Sequence, residues 1–393
     1  MKRLSNILQE KINQRIKKDA LRSLNEKNDW VDFSSNDYLG FSASEEIYDA
    51  VHQYLVDHNL KKNGATGSRL LSGNHGLYTQ VEQQLCKFHH SEAALIFNSG
   101  YDANVGFFSS VPQRGEIILY DEYVHASIRD GIQLSNAKAY KFRHNSMDDL
   151  KEKLKRHKTN QTEPIVVYVV TESVFSMDGD SPDLVAMLAI CKENDANFVV
   201  DEAHAVGIFG ENGCGLIQEL GIEQAIFARI STFGKALGCH GAAILGSTEL
   251  IHYLVNFARS FIYTTALPPH ALATIKIAYD QLVKLDSHQG SPQKKLNENI
   301  QFFKTTAKNH NLQERFIESN SAIQCCIVSG TKNVKRIAYQ LQENGFDVKP
   351  ILSPTITEGQ ERLRFCLHSF NSEKEMKEVL SLLSTFVGKD LIL

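Results

Sequence analysis

The sequence predicts an α/β protein: a large domain with a mostly parallel sheet wrapped by helices, then a smaller α+β C-terminal domain. Upstream of residue 286, short β-branched or apolar runs alternate with longer helical patterns, the pattern of parallel strands joined by crossover helices. Downstream, AIQCCIV and ERLRFCLHSF read as strands. SEKEMKEVLSLLSTFV comes next as a helix opened by the capping box Ser372 to Glu375. Between the two regions lies the polar, turn-rich stretch DSHQGSPQKKLNEN, from Asp286 to Asn299, which marks a boundary. The expected organisation is an N-terminal arm over 1–45, a large domain over 46–285 and a small domain over 286–393.

Each element has its own signal. MKRLSNILQEKINQRIKK sets Leu4, Ile7, Leu8, Ile12 and Ile16 on one helical face, with charges throughout and no uninterrupted apolar core. That predicts an amphipathic helix rather than a signal peptide. Strands are expected at 94–97 (ALIF), 116–120 (EIILY), 165–170 (IVVYVV), 197–200 (NFVV) and 227–230 (FARI). A crossover helix is expected with Ser181 as N-cap, Pro182 in the first helical position, and Leu184, Val185 and Leu188 on one face.

Composition narrows the function. With 393 residues, 42% of them hydrophobic, the chain can bury a large core. Lys+Arg 42 against Asp+Glu 46 leaves a net charge of -4 and no basic field to gather nucleic acid. The seven cysteines are scattered and never spaced as Cys-x-x-Cys, which suits reduced cytoplasmic thiols and no metal. The longest apolar runs, such as Ile165 to Val170, fall far short of the roughly 20 residues of a membrane span. A soluble protein with no membrane partner is expected.

Reactive residues follow the carboxyl ends of the apolar runs. Asn98, Ser99, Gly100 and Tyr101 follow ALIF; Asp121 and His125 follow EIILY; Thr171, Glu172 and Ser176 follow IVVYVV. Asp201 and His204 follow NFVV, and Thr232 and Lys235 follow FARI. In an open parallel sheet such ends line one ligand crevice. Taken alone, Lys235 in STFGKALG reads as an exposed lysine, but behind a buried strand it becomes an amine of lowered pKa, a usable nucleophile. Asp201 reads either as a helix cap or as the carboxylate that keeps a pyridine nitrogen protonated, and the reading of His204 depends on it. FNSGYDAN offers a glycine turn before a helix, which serves as a tight connection or as a phosphate cradle. His125 offers a flat imidazole for stacking or an ordinary surface histidine. DEAH at 201–204 invites an ATPase reading, but no phosphate loop of the form GxxxxGK[ST] precedes it.

Long motifs then carry a resemblance: FSSNDYLG (33–40), GSRLLSGNHGLY (67–78), FNSGYDAN (97–104), DEYVHASIRDG (121–131), TESVFSMDGDSPDL (171–184), DEAHAVGIFG (201–210), STFGKALGCHGAAILG (231–246), FIYTTALPP (261–269), SAIQCCIV (321–328) and RLRFCLHSF (362–370). Almost end to end, the chain resembles the α-oxoamine synthases, a family of fold-type I enzymes dependent on pyridoxal 5'-phosphate (PLP). The resemblance implies that Lys235 forms the imine anchoring PLP, that Asp201 contacts the pyridine nitrogen, and that His204 and Ser176 reach the ring oxygen or its surroundings. It implies His125 and Ala203 on the two ring faces, and Gly100, Tyr101 and Thr232 bordering the cofactor. It implies Thr264 or Thr265 reaching the phosphate from a partner subunit, hence a homodimer with a shared site. Arg364 matches the arginine for the amino-acid carboxylate, while Arg22, Asn36 and Thr355 match positions contacting substrate or product. Spacing alone leaves Arg362 and Arg364 on one strand face. The implied reaction is a decarboxylative condensation of L-alanine with a pimeloyl thioester of coenzyme A or an acyl-carrier protein. Siblings use glycine or serine with other acyl chains, and a PLP-fold regulator without turnover is the non-catalytic alternative.

Overall fold

The structure is a computed structural model that describes residues 4–17, 19–22, 24, 29–158, 165–286 and 290–388. It forms two compact units, residues 1–30 and 31–393. In the first, Asn6–Lys17 is the helix that the periodicity predicts, but its apolar residues Ile7, Leu8 and Ile16 stay exposed. Residues 31–45, assigned from sequence to the arm, belong to the second unit, where Phe33, Tyr38, Leu39 and Phe41 are buried.

The strands of the second unit are β1 (Val31–Asp32), β2 (Ala93–Phe97), β3 (Ile117–Asp121), β4 (Lys138–Phe142), β5 (Val167–Glu172), β6 (Asn197–Asp201), β7 (Ala228–Thr232) and β8 (Ala242–Gly246). They continue as β9 (Ile323–Ile327), β10 (Phe346–Asp347), β11 (Lys349–Ile351) and β12 (Arg362–Cys366). The central sheet has the order β2-β8-β7-β6-β5-β3-β4. The pairings from β7 through β4 are parallel, and β8 runs against both its neighbours. Every residue of β5 is buried, as expected of a strand covered by helices on both faces.

Two strands of the central sheet lie outside the runs read from the sequence as strands. β4, KAYKF, is an edge strand in which only Phe142 is buried. β8, AAILG, is the antiparallel strand wedged between β2 and β7. β5, β6 and β7 also run one or two residues further than the apolar runs, because the β5–β6 ladder continues through the polar pair Glu172 and Asp201 and β7 continues through Ser231 and Thr232. The crossover helix is Leu184–Glu193, capped by Asp183 rather than Ser181: Asp183 Oδ1 accepts the Ala186 N–H at 2.9 Å. Val185 consequently faces solvent, while Leu184, Met187 and Leu188 are buried.

The polar stretch at 286–299 contains the start of the helix Pro292–Asn309, with Ser291 Oγ accepting the Lys294 N–H. Beyond it, β11, β12 and β9 form an antiparallel sheet. The closing helix Glu373–Gly388 shows the predicted capping box: Ser372 Oγ accepts the Glu375 N–H at 3.2 Å, and Glu375 Oε2 accepts the Ser372 N–H at 2.7 Å. Among the described residues no helix is long and apolar enough to cross a membrane. The parallel register sets the position of the polar strand ends. It puts Asp121, Glu172, Asp201 and Thr232, each the last residue of its strand, along one edge of the sheet.

Candidate active site

Lys235 lies three residues past the end of β7, and its Nζ stands 2.7 Å from His204 Nε2. Burial pulls the Lys235 amine down to about 8 against the opposing pull of the Asp201 and Glu172 carboxylates. An amine so placed is part neutral and nucleophilic near pH 8. Burial, and then the neighbouring Lys235, hold His204 far below the ordinary imidazole range, so its ring is neutral.

The other side of His204 reaches a motif more than 160 positions upstream. His204 Nδ1 is 2.8 Å from the hydroxyl of fully buried Tyr38, which donates to Asn36 Oδ1 at 3.0 Å. Asn36 Oδ1 also accepts from Arg364 Nη2 at 3.0 Å. A guanidinium only donates, and that fixes every later direction. Asn36 presents its oxygen, Tyr38 gives its proton to Asn36, and its lone pair receives the His204 Nδ1 proton. His204 Nε2 is left bare to accept from Lys235. One directed chain thus joins Arg364 to Lys235.

Geometry separates the two arginines of β12. Arg362 is buried in an ion pair with Asp178 and gives Nε to the Gln360 carbonyl at 3.0 Å. Arg364 is also buried, yet it donates to the Ser176 carbonyl (2.7 Å), to Cys366 Sγ (2.8 Å) and to Asn36. Among the described residues no carboxylate pairs with it. A buried guanidinium without a counter-ion suits a ligand carboxylate.

Asp201 is buried at the end of β6; its Oδ1 accepts the Ala203 N–H at 2.9 Å and its Oδ2 accepts from Asn104 Nδ2 at 2.8 Å. Each oxygen retains a free lone pair for a further donor. Glu172 stands beside it on β5, raised by burial and by the charge of Asp201, and accepts the His125 N–H. His125 caps the helix Ala126–Leu134. Gly100 opens the helix Gly100–Ser110 under the Ser99 cap, and a Cβ there would stand 3.4 Å from Thr232 Oγ1. Tyr101 is half exposed, and its hydroxyl donates to Asp130 at 2.7 Å.

The remaining expected residues are less tightly joined. Thr264 Oγ1 accepts from Asn98 Nδ2 of its own chain at 3.0 Å, and the Thr265 carbonyl accepts from the same amide at 2.7 Å. Thr355 is exposed in a turn closed by its N–H on the Leu352 carbonyl, and among the described residues it makes no hydrogen bond to the cluster. Arg22 is an exposed residue of the N-terminal unit. Tyr38, Asn104, Ser127 and Cys366 are members of the network that residue spacing did not single out. Each lies inside one of the long motifs, but the partners that give Tyr38 and Asn104 their place, His204 and Asp201, are distant in sequence.

The chain matches the family described as "Aminotransferase class I and II" over residues 28–383. It is 40% identical to 8-amino-7-oxononanoate synthase of Emericella nidulans over 91% of this chain and 90% of that one. It is 36% identical to a putative 8-amino-7-oxononanoate synthase of Halalkalibacterium halodurans over 88% and 84%. Among solved structures, 8-amino-7-oxononanoate synthase from Francisella tularensis superposes with a TM-score of 0.77 at 28% identity, covering 93% of this chain and 100% of that one. Serine palmitoyltransferase from Sphingomonas wittichii superposes with a TM-score of 0.84 at 28% identity, over 93% and 88%. Directed through Arg364, Asn36, Tyr38, His204 and Lys235, and matched over nearly its whole length, the chain belongs to the aminotransferase class I and II family, in its α-oxoamine synthase branch.

Proposed function

We propose that this chain is an 8-amino-7-oxononanoate synthase, a PLP-dependent acyltransferase. It condenses L-alanine with a pimeloyl thioester, releasing the thiol and carbon dioxide. The observation that carries the reading is Arg364: a buried guanidinium without a carboxylate partner among the described residues, joined by hydrogen bonds to the amine of Lys235. An α-amino acid needs that pair, a fixed cation for its carboxylate and a reactive amine near its Cα.

The residues fit PLP. Asp201 offers spare lone pairs to a ring nitrogen, the Gly100 helix start offers N–H groups to a phosphate, and Lys235 offers a partly neutral amine. When bound, the cofactor supplies an electrophilic aldehyde and a ring that draws electron density from the substrate's Cα. Asp201 keeps the ring nitrogen cationic. Arg364 and Asn36 hold the carboxylate, and Lys235 Nζ takes the Cα proton. His125 and Ala203 flank the ring, His204 and Ser176 lie near its oxygen, and Tyr101 and Thr232 border it. Arg22 and Thr355 serve the acyl substrate.

On this reading the working unit is a homodimer, with Thr264 or Thr265 of the partner subunit reaching the phosphate. It acts in the cytoplasm, in keeping with seven cysteines that all stand free. The 40% identity to a named synthase supports alanine and the pimeloyl chain, whereas the likeness to serine palmitoyltransferase keeps a sibling reaction as the second reading.

A matrix of amino acids (L-alanine, glycine, L-serine) against acyl thioesters (pimeloyl, acetyl, palmitoyl) tests it, with product mass and carbon dioxide as readouts. Turnover confined to L-alanine and the pimeloyl donor is expected. Preference for serine and palmitoyl thioester would move the chain to the sibling activity. No turnover with any pair would favour a regulator.

A further inference from the structure

Asn104 is buried on the helix Gly100–Ser110, and its side-chain amide bridges two groups at once. Nδ2 donates to Asp201 Oδ2 at 2.8 Å and to Ser127 Oγ at 3.0 Å, while Oδ1, also buried, has no partner. Ser127 Oγ lies 2.7 Å from His125 Nδ1, and the Ser127 backbone N–H donates to the same nitrogen at 3.2 Å. His125 Nε2 makes no hydrogen bond to any described residue.

Direction is set by groups that can act in only one sense. An ionised carboxylate accepts only, so Asp201 holds the NH₂ end of Asn104 toward itself. The second amide hydrogen then occupies one lone pair of Ser127 Oγ, and the buried hydroxyl proton finds its acceptor in His125 Nδ1. The backbone N–H of Ser127 decides the direction, since it can only donate and it too points at Nδ1. Two donors on Nδ1 leave the ring proton on Nε2. The orphaned Oδ1 of Asn104 fits this account: with both hydrogens committed, the oxygen is left wherever the helix puts it.

We propose that Asn104 and Ser127 are positioning residues that carry the polarity of Asp201 to His125 and fix its proton on Nε2. The carboxylate at one end and the imidazole at the other, 76 positions apart in sequence, then form a single unit with a defined donor at its far end. A protonated Nδ1 would face the Ser127 backbone N–H, which can only donate, and would leave the buried Ser127 hydroxyl proton without its acceptor. The catalytic use of that donor rests on the reading of Lys235 as the cofactor's lysine; the tautomer itself does not.

The test is ¹⁵N NMR of the full chain carrying labelled histidine, recorded with and without PLP, with the His125 signals assigned through His125→Gln. The expected result is a bare acceptor shift for Nδ1 and a protonated shift for Nε2 in both samples. Ser127→Ala removes one of the two donors on Nδ1 and should raise the minor Nδ1–H form about fivefold, the equivalent of one hydrogen bond. Asn104→Leu should move it in the same direction, and Ser127→Ala serves if that variant fails to fold. In the loaded enzyme Ser127→Ala should lower kcat several-fold with cofactor content unchanged. A wild-type His125 protonated on Nδ1, or a tautomer ratio unmoved in a folded Ser127→Ala variant, would overturn the proposal. The expected tautomers in a chain that does not bond PLP at Lys235 would leave it standing and remove the functional reading instead.

Discussion

The Tyr38 hydroxyl meets His204 Nδ1 at 2.8 Å across 166 positions of sequence. Tyr38 belongs to the FSSNDYLG segment, and that segment also lends Asn36 to Arg364. Hence the stretch before the large sheet is part of the site, fixing which nitrogen of His204 faces Lys235. The link is buried and every donor in it has an acceptor, so removing one member leaves neighbours unsatisfied rather than merely less stable.

Tyr38→Phe keeps the ring and deletes the hydroxyl, leaving Asn36 Oδ1 with one donor fewer and His204 Nδ1 with no acceptor. A fall of roughly tenfold in kcat/KM is expected, divided between a higher KM for the amino acid and a lower kcat. Steady-state kinetics at saturating acyl donor measure it. Unchanged kinetics in a folded variant would mean that the chain from Arg364 to Lys235 carries no functional coupling.

Lys235→Ala removes the amine that the proposed chemistry uses twice, as the cofactor's anchor and as the Cα base. Turnover should fall by roughly 10³-fold or more. Borohydride reduction and peptide mapping of the wild type should place the label on Lys235. A label on another lysine would sink the assignment.

The two arginines of β12 should respond differently. Arg364→Lys exchanges a planar fork for a point charge and should raise the KM for the amino acid roughly tenfold or more. Arg362→Met strands the buried Asp178 carboxylate and should cost on the order of 3 kcal/mol of stability, with KM little changed in the folded fraction. Thermal unfolding alongside kinetics separates the two. A large KM effect at Arg362 and none at Arg364 would reverse their roles.

Sequence made much of this visible, and the limits have physical causes. Lys235, Asp201 and Thr232 were legible because buried parallel strands are apolar and the change to polar residues marks their ends. Strand β4 was not, because an edge strand with one buried residue shows no apolar run. The N-cap moved from Ser181 to Asp183 because Ser, Pro and Asp all favour a helix start, and only the chain's path decides among them. Arg362 and Arg364 share a face at period two, so only the position of Asp178 tells them apart. Asn104 and Ser127 sit within a turn and a stacking motif as far as sequence shows, because their hydrogen bonds to Asp201 and His125 exist only after folding.

His144 supplies a pH-dependent prediction. Its Nδ1 lies 2.9 Å from Asp121 and its Nε2 lies 2.8 Å from Asp180, while its ring stacks on Tyr123 and meets Phe175 edge-on. It therefore ties the loop that leads to His125 to the loop that leads to Ser176. Burial disfavours its charge, but hydrogen bonds and attraction from the two aspartates outweigh burial and lift it to about 10. The folded state thus holds this proton more tightly than the unfolded chain, in which a histidine titrates near 6.5. The resulting stabilisation is fully present below about pH 6.5, declines as the pH rises through the interval, and is gone above about 10. His144→Gln, which cannot carry the charge, should lose on the order of 4 kcal/mol at pH 6, with the gap to wild type closing by pH 10. Urea unfolding of both proteins at pH 6, 8 and 10 checks this. A gap of constant size across that range would show that His144 acts through packing alone.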